Sequence, residues 1–323
     1  AHARLVALVE AAPHSRELLA RLAELQAKTG DTEAALATYS RLLEMTEGPQ
    51  LVSAALALAE LADRAGQPAR ARPALERALA LDPENVDVRS RIVAVLEADG
   101  AYRALAELLR EEANRETRPD ERARKLLRVG ELLLLPDGDL DEALAVLEGV
   151  RAELKDSIEA VVLLARAYGY AGRLDSALSL LDGCIESYRG KRVRALSAVY
   201  EQKADAHLEE GILTDALGAL QKAFEMDPKN ARLGMRVARL AIESEETDVA
   251  QRSLRAVAIM KTAPVDGPDG ARADTKAEAN FVLAELAQRA GDPRKARVLV
   301  AKALSENPDH EKARALLKTL DAR

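Results

Sequence analysis

The chain has 323 residues, more than one compact domain usually holds, so it reads as two or three globular units or one long repeat array. Charged residues make up 31% and aromatics 2%, while Ala, Leu, Arg and Glu dominate; such an excess of strong helix formers excludes a large β-core. The net charge of −7 argues against a general nucleic-acid or anionic-membrane binder, which needs a basic surplus.

In chain order, the predicted elements are helical pairs punctuated by one recurring signal, a glycine followed five residues later by an alanine. It occurs at Gly30/Ala35, Gly66/Ala71, Gly138/Ala143, Gly172/Ala177, Gly211/Ala216 and Gly291/Ala296. Gly100 has its alanine displaced to Ala104, and Ala250 keeps its place with Glu245 in the glycine slot. Successive slots lie 36, 34, 38, 34, 39, 34 and 46 residues apart. Glycine accepts the left-handed backbone that ends a first helix, and alanine lets the second helix approach closely. Proline stops the second helix, as in LDPEN at 81–85 and MDPKN at 226–230. Repeats are therefore expected to start near 16, 52, 86, 123, 158, 197, 231 and 277. The unit around Gly100 is degenerate, and Pro136 is expected to end the first helix of the next unit early. The longest interval holds a Pro/Gly/Asp-rich loop at 262–274, either a tolerated insertion or a lip over a binding groove. Residues 311–323 read as a capping helix, with Ala313, Leu316, Leu317 and Leu320 on its apolar side.

The segment from Val52 to Asn85 carries Leu58, Ala59, Gly66, Ala71, Ala78 and Pro83 at positions 7, 8, 15, 20, 27 and 32 of a 34-residue unit. Segments beginning at Ser197 and Ala277 carry Ala204/Gly211/Ala216/Ala223/Pro228 and Ala284/Gly291/Ala296/Ala303/Pro308. On these residues the chain resembles the tetratricopeptide repeat family over nearly its whole length. The resemblance implies an all-α fold, a right-handed superhelical α-solenoid of about eight antiparallel helix pairs with a C-terminal capping helix. Counting back from Pro13 as position 32 puts Leu5 and Leu8 at positions 24 and 27. Residues 1–13 are thus expected to be the second helix of a truncated upstream repeat, with contacts to further upstream repeats or self-association through the open half-repeat.

No catalytic constellation is found, and no cofactor or metal is expected. His2, His14, His207 and His310 are scattered singly, without the second His or Cys that zinc needs. The single cysteine, Cys184, sits beside Ile185 on a predicted second helix and reads as a packed thiol. Asp137, Asp139, Asp141 and Glu148 fall at positions 1, 3, 5 and 12 of a calcium-loop pattern, but Glu142 occupies the place of its obligatory glycine. The same acids suit an inter-helix turn and a helix N-terminus. One cysteine and no membrane span lead to the expectation of a cytoplasmic protein, with a disulfide-free periplasmic one as the alternative.

In the family, first-helix positions 2, 5, 6, 9, 12 and 13 line a concave groove. The Lys/Asn clamp of chaperone-binding members is absent: Glu17, Ala20 and Glu24 stand at positions 2, 5 and 9 of the first full repeat. Position 5 is apolar at Leu56, Leu127, Val162, Met235 and Phe281. These residues either receive a partner's amphipathic or extended segment or pack between neighbouring first helices. Arginines gather at Arg124, Arg128, Arg166, Arg232, Arg236 and Arg239. They either read an acidic segment or pair with acids of adjacent helices such as Glu201 and Asp205. The resemblance implies a non-catalytic scaffold that recruits a protein segment, with no nucleic-acid partner and no membrane insertion. The Ala/Arg/Leu bias suggests a GC-rich bacterial genome, and for such an organism the resemblance implies a setting such as secretion, outer-membrane assembly or polar motility. The alternative is a regulatory or substrate-presenting region of a larger enzyme.

Overall fold

The computed structural model describes residues 2–261, 265–266, 272–273 and 275–321. It divides into two units, residues 1–146 and 147–323. The first contains α1 (His2–Ala11), α2 (Arg16–Thr29), α3 (Thr32–Glu44), α4 (Pro49–Arg64), a 3-10 turn at Pro68–Ala71 leading into α5 (Arg72–Leu81), α6 (Val86–Ala98), α7 (Tyr102–Arg115) and α8 (Pro119–Leu133). The division falls within α9 (Leu140–Glu153). The second continues with α10 (Ile158–Tyr170), α11 (Leu174–Ser187), α12 (Leu196–Glu209), α13 (Leu213–Met226), α14 (Ala231–Glu243), α15 (Thr247–Ala258), α16 (Thr275–Arg289), α17 (Pro293–Glu306) and α18 (Glu311–Asp321). Within the 262–274 loop, Val265–Asp266 pairs antiparallel with Arg272–Ala273; the rest of that loop, including any lip over a groove, lies outside the described residues.

The local sequence dictates where the helices begin and end. Side chains of Ser15, Asp31, Asn85, Ser157, Asn230 and Asp292 each accept a hydrogen bond from the backbone N–H three residues on, satisfying a donor that the first turn leaves unpaired. At the first-helix ends the chain turns through a left-handed residue. Gly30 has φ +82°, and the next N–H, that of Asp31, donates back to the Gln26 carbonyl at 3.0 Å, the six-residue closure of a Schellman turn. Gly138 is the exception. Its φ is not left-handed, but a Cβ there would sit 2.0 Å from the Leu133 carbonyl oxygen, so close backbone approach demands glycine. Helix α8 stops at Leu133, three residues before Pro136, as proline's restriction on the preceding residues requires.

Close packing follows from the small side chains. Ala59, Ala71 and Ala78 are fully buried, as are their counterparts Ala204, Ala216 and Ala223 and Ala284, Ala296 and Ala303. A larger residue at any of these positions would push paired helices apart. Each helix packs on the next in sequence, from α1 to α8 in the first unit and from α10 to α18 in the second. First helices of consecutive repeats also touch, α4 on α6, α10 on α12 and α14 on α16. Packing of this nearest-neighbour kind defines an α-solenoid.

Second helices are tied together by arginines that the alanine and glycine pattern does not reveal. Arg77 on α5 donates to the Leu43 and Thr46 carbonyls at the end of α3, at 2.7 and 3.1 Å. Arg41 on α3 donates to the Pro13 carbonyl just past α1, at 2.7 Å. Guanidinium groups there satisfy carbonyls that a helix end leaves open and complement its dipole. At the far end, His310 accepts from the Ala313 N–H at 3.2 Å through Nδ1, so Nε2 carries the proton that it donates to Glu278 at 3.0 Å.

Candidate interaction groove

Two clefts lie along first helices, one in each unit. In the first, α4 contributes Ser53, Leu56, Ala57 and Glu60, and α6 contributes Asp87, Ser90 and Arg91, around a cavity of about 510 Å³. These are positions 2, 5, 6 and 9 of one repeat and 2, 5 and 6 of the next. Leu56 is half-buried at the floor, whereas Ser53, Glu60, Asp87 and Ser90 are exposed. Arg91 is engaged by Asp63 and Glu60 by Arg64 at 2.9 Å. Asp87 has no ion-pair partner among the described residues, so this cleft offers acceptors and net negative charge.

In the second unit, α10 supplies Arg166, Gly169 and Tyr170, and α12 supplies Gln202, Asp205, Leu208 and Glu209, around a cavity of about 290 Å³. Arg166 donates to Gln202 at 3.4 Å. Tyr170 is 59% exposed although it is a large aromatic, which leaves its ring free at the mouth. Beyond α12, the arginines of α14 close onto acids. Arg232 makes a two-pronged pair with Glu201 at 2.6 and 2.7 Å. Arg236 binds both Glu201 and Asp205. Burial alone would push the Glu201 carboxyl up, but the hydrogen bonds from Arg232 and Arg236 outweigh it and hold its pKa below the ordinary range.

The expected site residues thus divide. Leu127, Met235 and Phe281 are 5, 6 and 5% exposed and belong to the core, so they are closed to a partner. They fill the space between neighbouring helices, the second of the two roles open to position 5. Leu56 and Val162 are half-buried, and only Leu56 borders a described cleft. Arg232 and Arg236 are occupied by Glu201 and Asp205, and Arg128 by Glu97 and Glu131. Among the described residues Arg124 pairs with Glu121 of its own helix alone, at 3.3 Å. Arg239 is exposed, without an ion-pair partner among the described residues. Acids within each unit thus meet the charge of Arg128, Arg232 and Arg236. Position 5 and the arginines alone pass over Tyr170, Asp87 and Glu209, whose places at positions 13, 2 and 13 of their repeats carry the signal that finds them.

Other chemistry-bearing residues are used structurally. Asp139 Oδ1 accepts the Glu142 N–H at 3.0 Å, and Glu148 accepts the Tyr168 hydroxyl at 3.0 Å. Burial pushes the Cys184 thiol up, away from thiolate chemistry. No described helix is long and apolar enough to cross a membrane.

Fold and clefts define an α-solenoid of helix pairs with grooves along its first helices. Models of the tetratricopeptide repeat match residues 1–51, 52–96 and 134–200. The chain belongs to the tetratricopeptide repeat family. Among solved structures it is similar to YrrB, described as a TPR protein with an unusual peptide-binding site, at 17% identity over 65% of this chain and 97% of that one, TM-score 0.43. It is similar also to a thermophilic TPR protein of Thermus thermophilus, at 24% identity over 62% and 100% of the two chains, TM-score 0.34. A human IFIT1 dimer with m7Gppp-AAAA matches at 14% identity over 96% and 82%, TM-score 0.44. No curated protein sequence matches the chain.

Proposed function

We propose that this chain is a non-catalytic scaffold that holds a segment of a partner protein against its first helices. One observation carries the reading. In each unit a cleft opens at the groove positions of consecutive repeats, with accessible apolar side chains, Leu56 in one and Tyr170 beside half-buried Leu208 in the other, next to an exposed acid, Asp87 or Glu209. That combination supplies an apolar anchor point and hydrogen-bond partners for an extended or helical segment. With Arg232 and Arg236 engaged by Glu201 and Asp205, and Asp87 and Glu209 outward, the partner's complement is amide and cationic donors, not the acidic segment the arginine count suggests.

The test is selection of displayed random peptides on the full chain, followed by fluorescence anisotropy of those recovered. Tyr170→Ala removes an exposed ring at little cost to folding, and Leu56→Glu places a charge at the other cleft floor. Peptides weakened at least about tenfold by one of these substitutions support the groove. Peptides that bind both folded variants as tightly as the parent chain sink it.

A further inference from the structure

A larger cavity, about 870 Å³, lies away from the groove, where the ends of the second helices α11 and α13 flank the start of α12. Ile185, Tyr188, Leu196, Tyr200, Phe224 and Met226 line it. It thereby gathers three of the chain's eight aromatic residues, six Tyr and two Phe. The sequence explains the opening. From Gly172 to Gly211 is 39 residues, five more than the regular 34, and four of the five fall between α11 and α12, in YRGKRVRA at 188–195. Between α13 and α14 the four residues DPKN at 227–230 close the equivalent joint.

The basic loop is held in place. Arg192 donates to the Glu225 carbonyl at 2.9 Å, and Arg194 pairs with buried Asp227 at 3.0 Å. These two guanidinium groups anchor the loop to the end of α13. Lys191, on the cavity rim, is exposed and has no ion-pair partner among the described residues. Among the described residues Arg189 pairs with Glu186 alone, at 3.0 Å, and both side chains are solvent-exposed, so water and salt weaken the pair and a ligand can displace it. An apolar, aromatic cavity under a positive lip is unusual on a chain of net charge −7.

We propose that this cavity is a second protein-docking site, which takes a peptide segment with one large apolar side chain flanked by carboxylates. The apolar side chain enters among Tyr188, Tyr200, Phe224 and Met226, and the carboxylates meet Lys191 and Arg189. The volume lies within the range of small-ligand pockets, enough for one anchoring side chain and its adjoining backbone. Aromatic and Met walls are the surfaces that interface cores favour. Charge complementarity selects the acidic flanks. The acids Glu186 and Glu225 on the same rim, with the net charge, disfavour a nucleic-acid strand.

Random twelve-residue peptides displayed on phage are selected on the full chain, and recovered peptides are measured by anisotropy on four variants. The double variant Arg189→Glu, Lys191→Glu alters only exposed side chains. Tyr200→Phe keeps the cavity wall, Tyr200→Ser opens it, and Tyr170→Ala reports the groove. The expected result is a class of peptides with one aromatic or Leu between Asp or Glu residues. Their affinity falls at least about tenfold on the charge-reversed double variant and on Tyr200→Ser, and is retained on Tyr200→Phe and Tyr170→Ala. The proposal is overturned if no such class is recovered, if that class responds to Tyr170→Ala instead, or if a fluorescein-labelled fifteen-residue thymidine strand binds and is lost with the double variant. Failure here leaves peptides that respond to Tyr170→Ala or Leu56→Glu untouched, so the two sites are judged separately.

Discussion

Where six first helices end on a left-handed glycine, α14 ends on Glu245 at φ +61°. The Glu246 N–H still closes on the Ala241 carbonyl at 2.7 Å, so the turn is kept and the side chain bears the strain. A left-handed L-residue costs about 1–2 kcal/mol, and glycine gives back about 0.5–1 kcal/mol through its greater unfolded freedom. Glu245→Gly is therefore expected to stabilise by about 0.5–1 kcal/mol, read as a higher urea midpoint; an unchanged or lower midpoint contradicts this. Gly234 makes the opposite case. A Cβ there would lie 2.5 Å from Val257 Cγ2 and 3.1 Å from Phe224 Cζ, and its carbonyl accepts the buried Ser253 hydroxyl at 2.7 Å. Gly234→Ala is expected to destabilise by about 1–3 kcal/mol despite alanine's better helix propensity, because overpacking outweighs the roughly 1 kcal/mol gained. Circular-dichroism melts decide it, and a higher melting temperature would refute the clash. The Glu245 strain is legible from the glycine register alone. The Gly234 constraint is not, since it depends on which side chains of α13 and α15 arrive opposite.

Between elements, the joint of α12 and α14 is an ion-pair network of Arg232, Arg236, Glu201 and Asp205. Three arginines spaced four and three apart share a helical face in the sequence, but spacing cannot say whether that face meets a partner or a neighbour's acids. The network has a pH signature. Because Glu201 has a lowered carboxyl pKa in the folded chain, its contribution is full above the ordinary carboxylate range. It is lost as pH falls through that range towards the lowered value, where the native carboxylate finally takes a proton. Amide hydrogen exchange of α12 and α14 is expected to accelerate on acidification relative to α16–α17. Glu201→Gln is expected to flatten that acid limb and to weaken α12 and α14 at neutral pH by leaving Arg236 half-paired. An identical pH profile for the two proteins would mean that other carboxylates govern the joint.

For the whole molecule, nearest-neighbour packing makes stability a sum of local interfaces. Helix α18 covers the pair before it through Ala313 and Leu320, which join Phe281, Ala284, Ala296 and Val300 in one cluster. Leu320 is 3% exposed, so Leu320→Asp buries a charge in that cluster. It is expected to speed exchange throughout α16 and α17 while leaving α10 and α11 protected; uniform loss across both regions would show a globular, all-or-none cooperativity instead. The sequence by itself determined the helix pairs, their turns and the family, because a glycine, three alanines and a proline in a 34-residue register act locally and between adjacent helices. Tertiary structure alone decided which groove residues remain open. Leu127, Met235 and Phe281 are taken into the core, two arginines are consumed by Glu201 and Asp205, and eight loop residues between α11 and α12 leave an aromatic cavity uncovered. Burial and pairing depend on what the neighbouring repeat presents at each position, a property of two segments 30-odd residues apart that neither segment's own pattern contains.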